Sequence, residues 1–147
     1  MHHTHYHRPT SVAEAVKLIG EHPDDKVLAG GQSTLPSMKL GLLAPEGFID
    51  LSGIGELRGI RAEGTSVRIG AMTTHHTVAT SKDVQAMIPA LAALAGGIGD
   101  RAVRNCGTIG GSLSTRRTRW MPPPLSTGSL QMPVSRAINT SSNRGPR

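Results

Sequence analysis

Aromatic side chains are almost absent from this 147-residue sequence, which contains one Phe, one Tyr and one Trp. A hydrophobic core must therefore be built from Leu, Ile, Val, Ala and Met side chains. The length is that of one ordinary domain, and a chain of this size can bury a substantial core. We therefore expect a domain with an aliphatic core.

Cysteine and long apolar runs are also scarce. The single cysteine, Cys106, cannot form an internal disulfide, which favours a reducing compartment. A single thiol also cannot supply the ligands of an iron–sulfur cluster. No apolar run approaches the length of about 18 residues that suggests a membrane-spanning helix, and the histidine-rich start does not resemble a signal peptide. These absences predict a soluble, cytoplasmic protein without a membrane span.

Acidic residues are missing from the last part of the chain. Residues 1–114 are neutral, with four Lys and six Arg against ten Asp and Glu, whereas residues 115–147 contain six Arg and no acid. A nucleic-acid arm would use these arginines with Trp120 for stacking, but their spacing is irregular and the neutral body has no basic face. We expect a disordered basic tail and no nucleic-acid partner. A linker to a partner protein is one interpretation, and the favoured hypothesis is an out-of-frame segment.

Glycine, in contrast, is abundant and marks two loops of similar composition. In residues 27–39 an apolar run ends at Gly30 and Gly31, passes into polar side chains and becomes apolar again with helical spacing. Residues 105–113 repeat the pattern at Gly110 and Gly111. Such loops bring backbone N–H groups close to an anion, although each glycine pair could also be a simple tight turn. Together they could hold one diphosphate from both sides.

The first residues predict a β-α-β unit. A strand around Tyr6 precedes a helix that begins with a capping box at Ser11 and Glu14. Residues 26–29 form the following strand. The apolar face of the helix is expected to contain Val12, Ala15, Val16 and Ile19.

Later segments predict further helices and strands. A short helix is expected at residues 36–40 and a buried strand at 48–51, followed by a hairpin of strands 57–62 and 66–69. We expect Arg58, Arg61 and Arg68 to point to solvent. A helix with a Thr cap is expected near residue 75, and a helix from Pro89 should place Leu91, Leu94 and Ile98 in the core.

Histidine and cysteine offer weaker candidates for chemistry. The four histidines within residues 2–7 could bind a transition metal, but no Cys or carboxylate lies near them in the sequence, so we predict no metal site. His75 and His76 would point in different directions on a helix, and one of them could line a ligand pocket. Cys106 is expected to be a small side chain packed beside the second loop.

Four motifs occur in an order that indicates a family. They are residues 6–11 (YHRPTS), 29–39 (AGGQSTLPSMK), 70–75 (GAMTTH) and 104–113 (RNCGTIGGSL). Together they resemble the FAD-binding medium subunit of molybdenum hydroxylases, the family that includes aerobic carbon monoxide dehydrogenase and xanthine dehydrogenase. The resemblance covers about residues 5–114.

The resemblance implies a fold, a cofactor and partners. The fold would be an α+β, two-lobed FAD-binding fold of the vanillyl-alcohol-oxidase/PCMH type, with an N-terminal βαβ lobe at residues 1–57 and an incomplete second lobe at 58–114. Electrons would pass from a molybdopterin-containing large subunit through a [2Fe-2S] small subunit to FAD and then to an acceptor, without a catalytic acid or base in this chain. The residues expected to hold the FAD pyrophosphate are Ala29, Gly30, Gly31, Gln32, Ser33, Thr34, Thr108, Ile109, Gly110, Gly111 and Ser112.

The pattern departs from the family after Ser114. Similar subunits continue there with an acidic Ala-Asp-Pro-x-x-Asp segment, whereas this chain continues with Arg, Pro and Ser. Three functions therefore stay open. They are an FAD-binding electron-transfer subunit, an inactive truncated remnant of one, and a small nucleic-acid or protein-interaction module that uses the basic tail.

Overall fold

Two three-stranded sheets organise the chain in the computed structural model, which describes residues 4–115 and 129–133. None of the helices in these residues is long and apolar enough to cross a membrane. In chain order the strands and helices are β1 (His5–His7), α1 (Val12–Glu21), β2 (Lys26–Leu28), α2 (Thr34–Lys39), β3 (Gly47–Asp50), β4 (Ile60–Glu63), β5 (Ser66–Gly70), α3 (His75–Thr80), α4 (Lys82–Met87), α5 (Pro89–Gly96), α6 (Arg101–Cys106), α7 (Ile109–Thr115) and β6 (Ser129–Pro133).

The first sheet is parallel and has the strand order β1-β3-β2. Tyr6 of β1 and Lys26 of β2 both pair with Phe48 of β3, so the buried strand β3 lies between the other two. Parallel strands need a long crossover, and α1 supplies it between β1 and β2. The predicted β-α-β unit is therefore present, with β1 at an edge, but its two strands are not neighbours.

Helix α1 begins as its sequence predicts. The Ser11 side chain accepts a hydrogen bond of 3.2 Å from the Glu14 backbone N–H, and the Glu14 carboxylate accepts one of 2.8 Å from the Thr10 N–H. The predicted apolar face is wrong for two residues. Ala15 is buried, but Val16 and Ile19 are 63% and 42% exposed. The buried cluster of Ile54, Leu57 and Met72 packs against the Ala15 side of the helix, and Val16 and Ile19 lie outside that contact.

The second sheet is antiparallel, with the strand order β4-β5-β6. Gly64, at φ 59°, turns the predicted hairpin between β4 and β5. Arg58, Arg61 and Arg68 are exposed, as predicted. Strand β6 was not expected, since the segment after residue 114 was predicted to be disordered; it pairs with β5 along residues 66–70. The rest of that segment lies outside the described residues.

Two buried clusters form the core. One contains Ile54 and Leu57 from the first predicted lobe together with Met72 from the second, so side chains from both sides of residue 57 pack together. The predicted burial of Leu94 is wrong, because this side chain is 66% exposed while Ala92 and Ala95 of the same helix are buried. The other cluster joins β5 to α3, α4, α5 and α7, and its members are Val67, Ile69, Val78, Val84, Ile88, Ala92, Ala95 and Ile109.

Candidate functional site

A cleft of about 650 Å³ opens between the two glycine loops. Ten of the eleven predicted binding residues line it, and Gly110 is the exception. Its other lining residues come mainly from β2, α3, α5 and α7. They are Val27, His75, Leu91, Leu94, Ala95, Ile98, Gly107, Leu113 and Ser114.

The first loop presents a run of backbone donors to this cleft. Gly31 adopts a left-handed conformation, with φ 72°, which turns the chain before α2. Within the described residues, the N–H groups from Gly30 to Ser33 donate to no protein acceptor. The Leu35 N–H is used differently, since it donates to the Gly31 carbonyl at 3.0 Å. Successive unpaired N–H groups in a turn form a concave site suited to an anion.

The second loop uses most of its N–H groups inside the protein. The N–H of Ile109 donates to the Thr73 carbonyl at 3.0 Å, and that of Gly110 donates to the Ala71 carbonyl at 2.9 Å. Gly110 therefore faces away from the cleft. The N–H of Thr108 is different, because it has no acceptor among the described residues although Thr108 is only 4% exposed. Backbone N–H groups usually have a hydrogen-bond partner, so the unpaired N–H of Thr108 is the backbone donor of this loop that is available to a ligand.

The Thr108 hydroxyl adds a second polar group at the same place. Its Oγ1 atom accepts a hydrogen bond of 3.1 Å from the Gly111 N–H, which leaves the hydroxyl proton able to donate. Thr108 also forms an isolated antiparallel bridge with Thr74. This bridge fixes the second loop against the start of α3 and orients the Thr108 donors.

The glycines serve different purposes in the two loops. A Cβ atom on Gly30 would overlap the Cys106 carbonyl, so Gly30 allows the first loop to contact the second. A Cβ atom on Gly110 would lie 2.7 Å from the Ala71 carbonyl oxygen. The sequence suggested that glycine brings the backbone close to a ligand. In the structure Gly30 and Gly110 bring backbone close to backbone, and the cleft is a result of that packing.

His75 is the histidine that lines the cleft. It is the first residue of α3, whose N-cap Thr74 accepts a hydrogen bond from the Thr77 N–H at 3.2 Å, as the predicted Thr cap requires. The Nε2 atom of the buried His75 lies 2.9 Å from Ser112 Oγ. Burial lowers the pKa of His75 below its ordinary value, so the ring is neutral near pH 7. His76 does not line the cleft.

One side of the cleft is an apolar wall that the sequence did not predict. Leu91, Leu94 and Ile98 of the α5 region line the cleft, although helical spacing predicts core positions for all three. The prediction holds in part for Leu91, which is partly buried and also packs against the cluster that contains Ala92 and Ala95. Periodicity identifies an apolar face but does not say whether protein or ligand covers it. Cys106 was also misjudged, because its side chain is exposed and only its carbonyl packs beside the first loop.

Comparisons with known proteins agree on one family. The family model described as the FAD binding domain in molybdopterin dehydrogenase matches residues 2–136. The carbon monoxide dehydrogenase medium chain of Hydrogenophaga pseudoflava is 54% identical over 110 residues, which are 74% of this chain and 38% of that one. The xanthine dehydrogenase FAD-binding subunit of Escherichia coli O157:H7 is 35% identical over 114 residues, 77% of this chain and 39% of that one.

Solved structures give the same result. Carbon monoxide dehydrogenase from Hydrogenophaga pseudoflava superposes with a TM-score of 0.74 at 53% identity, covering 76% of this chain and 39% of that one. Quinoline 2-oxidoreductase from Pseudomonas putida 86 superposes with a TM-score of 0.75 at 30% identity, covering 89% of this chain and 50% of that one. The fold is therefore an FAD-binding fold shared with subunits of oxidoreductases.

The extent of the matches differs from the expectation in one respect. The family match runs to residue 136, beyond Ser114, where the resemblance was expected to end. The chain spans about two fifths of the length of the two curated relatives.

The unpaired N–H groups, the hydroxyl of Thr108 and the apolar wall suit a dinucleotide with a diphosphate and aromatic rings. The chain belongs to the family of FAD-binding domains of molybdopterin dehydrogenases, and its cofactor is FAD.

Proposed function

We propose that this chain is the flavin-binding part of an electron-transfer subunit in a molybdenum-containing hydroxylase or dehydrogenase. The observation that carries the proposal is the run of unpaired N–H groups from Gly30 to Ser33, which shares one cleft with the unpaired N–H of Thr108. These donors would hold the FAD diphosphate from both sides. The remaining predicted residues would contribute by shape and by side-chain hydroxyl groups.

Charge supports the assignment to a backbone-held diphosphate. No Lys, Arg, Asp or Glu is among the lining residues that the structure describes, and the only titratable ring there, His75, is neutral near pH 7. The negative charge of a diphosphate would therefore be met by N–H and O–H dipoles rather than by cations. Because Gly30 packs on Cys106, the separation of the two sets of donors is set before a ligand arrives.

The apolar wall provides the complementary surface. Leu91 and Leu94 would pack against an aromatic ring of the dinucleotide, which explains why a leucine as exposed as Leu94 stands beside polar loops. When bound, FAD supplies the redox chemistry. The residues of this chain bind and orient it, and none is assigned as a catalytic acid or base.

Partners follow from the relatives. The relative from carbon monoxide dehydrogenase is called a medium chain, and this name implies that the enzyme contains other chains. We propose a molybdopterin-containing large subunit and a [2Fe-2S] small subunit as partners, with electrons passing from them through FAD to an acceptor. A cytoplasmic location stays a prediction. An inactive remnant of such a subunit stays the alternative prediction.

A comparison of flavin ligands tests the proposed site. The purified chain should quench FAD fluorescence on binding and should bind FAD at least about tenfold more tightly than riboflavin, which lacks the diphosphate. Thr108→Val, which removes the hydroxyl but keeps the side-chain shape, should lower the affinity for FAD and leave the affinity for riboflavin unchanged. Equal affinities for FAD and riboflavin would refute the diphosphate assignment. A cooperatively folded chain, shown by circular dichroism, that binds neither flavin would instead support the inactive remnant.

A further inference from the structure

A second group of chemically active side chains lies outside the glycine-loop cleft. We propose that His7, His22 and Asp25 bind a divalent transition-metal ion of the zinc class. Each residue offers one ligand atom, and the three atoms all lie within 4.8 Å of one another. None of the three lines the cleft, so the proposed metal site is independent of the proposed flavin site.

The distance between two of the ligand atoms fits a bridging ion better than a direct bond. His7 Nε2 and Asp25 Oδ2 are 3.8 Å apart, which is too long for a hydrogen bond. Ligands that each lie about 2.1 Å from zinc are separated by about 3.4 Å in a tetrahedral site and by at most about 4.2 Å. An ion between these atoms would therefore be within bonding distance of both after small side-chain movements.

Both atoms are also buried without a hydrogen-bond partner. His7 Nε2 and Asp25 Oδ2 are the buried side-chain atoms of the described residues that lack one. The Asp25 side chain is only 4% exposed, and its carboxylate packs directly on Gly47, where a Cβ atom would overlap it. A buried carboxylate is costly unless a cation or donors compensate its charge. A metal ion would satisfy the carboxylate and the imidazole nitrogen together.

The backbone holds the three ligands in place. His22 is the C-cap of α1, where its N–H donates to the Leu18 carbonyl at 2.9 Å, and the Asp25 N–H donates to the His22 carbonyl at 3.1 Å. His22 and Asp25 thus lie on one short turn. The His7 ring stacks on the His22 ring, with centroids 4.7 Å apart and planes inclined by 25°. Because His7 belongs to β1, an ion would tie the edge strand to this turn.

The ligand types indicate which ions to expect. Two imidazole nitrogens and one carboxylate oxygen suit Zn²⁺, Co²⁺ or Ni²⁺, whereas Mg²⁺ and Ca²⁺ prefer a set of oxygen ligands. Three protein ligands leave a coordination position for water or another donor. No carboxylate lies near the histidine run in the sequence. The fold supplies one, since β1 and the turn before β2 both adjoin β3, and this brings Asp25 to His7.

The test must separate this site from the histidines that precede it. A background variant with His2→Ala, His3→Ala and His5→Ala keeps the cluster and removes the rest of the run. After treatment with EDTA, this chain should bind one equivalent of Zn²⁺ in a calorimetric titration and should show no binding of Mg²⁺. Addition of Co²⁺ should give the absorption spectrum of a protein-bound ion. Asp25→Asn in that background should lower the affinity for Zn²⁺ by at least about tenfold. Even changes to residues that only support the metal ligands typically cost this much affinity.

The neighbouring carboxylate provides a matched control. Asp24 is exposed and lies outside the cluster, so Asp24→Asn should bind Zn²⁺ like the background variant. If Asp25→Asn fails to fold by circular dichroism, His22→Gln replaces it, with the same expected loss. The proposal is overturned if the background variant binds no stoichiometric Zn²⁺, or if the folded ligand variant binds it as tightly as Asp24→Asn. Neither result depends on flavin binding.

Discussion

The imidazole of His75 and the hydroxyl of Ser112 are joined by a hydrogen bond, with 2.9 Å between Nε2 and Oγ. The contact links the first residue of α3 to the second glycine loop, across 37 positions of sequence. A second link lies beside it, since the His75 N–H donates to the Gly107 carbonyl at 3.0 Å. His75 thus holds the second loop by both its backbone and its side chain, and its ionisation state affects that loop.

The stability of the chain should fall in mild acid because of His75. Burial lowers its pKa, so below the ordinary histidine value of about 6.5 the unfolded chain binds a proton that the folded chain does not. The free energy of unfolding should therefore decrease as the pH falls from about 6.5 toward the folded pKa of His75, and this residue should have no effect above that range. Urea denaturation between about pH 8 and about pH 5 measures the slope of the free energy of unfolding against pH.

Two substitutions identify the source of that slope. His75→Gln should flatten it, and His76→Gln, which changes a histidine outside the cleft, should leave it as in the parent chain. EDTA in every sample keeps the His7 and His22 cluster free of metal. The same slope in the parent chain and in His75→Gln would show that another group causes the pH dependence.

Gly30→Ala should separate the two glycine loops. The added Cβ would overlap the Cys106 carbonyl, and an overpacked contact of this kind typically costs about 1–3 kcal/mol. Gly20→Ala is the control, because a Cβ there meets nothing within 4 Å and lies in α1. Alanine in place of a helical glycine typically adds about 0.5–1 kcal/mol. Chemical denaturation should thus show opposite signs for the two variants, and equal effects would contradict the loop contact.

Gly31→Asp should abolish FAD binding. The residue lies at φ 72° in the run of unpaired donors, and an aspartate there places a negative charge beside the proposed diphosphate position. Gly31→Asn has nearly the same shape and also tolerates a left-handed backbone, so it isolates the effect of charge. Flavin fluorescence titration should show a much larger loss for Asp than for Asn. Unchanged FAD affinity in Gly31→Asp would remove the first loop from the site.

Local features of the fold were predictable from the sequence because they depend on residues a few positions apart. The capping box of Ser11 and Glu14, the hairpin turn at Gly64 and the Thr74 cap are each formed by near neighbours. The order of the glycine motifs likewise sufficed to indicate the family. Short-range hydrogen bonds and backbone preferences are encoded locally, so these predictions were confirmed.

Burial and long-range contact depended on the tertiary structure. The same apolar periodicity that predicted buried side chains at Leu94 and Val16 could not show that Leu94 faces a cleft or that Val16 lies outside the core contact of its helix. His7 and Asp25 are 18 positions apart, and only the pairing of β1 and β2 with one central strand brings their side chains together. The sequence by itself determined the family and the local elements. The packing of distant elements decided which donors stay unpaired and which side chains meet, because such contacts depend on the relative placement of whole strands and helices.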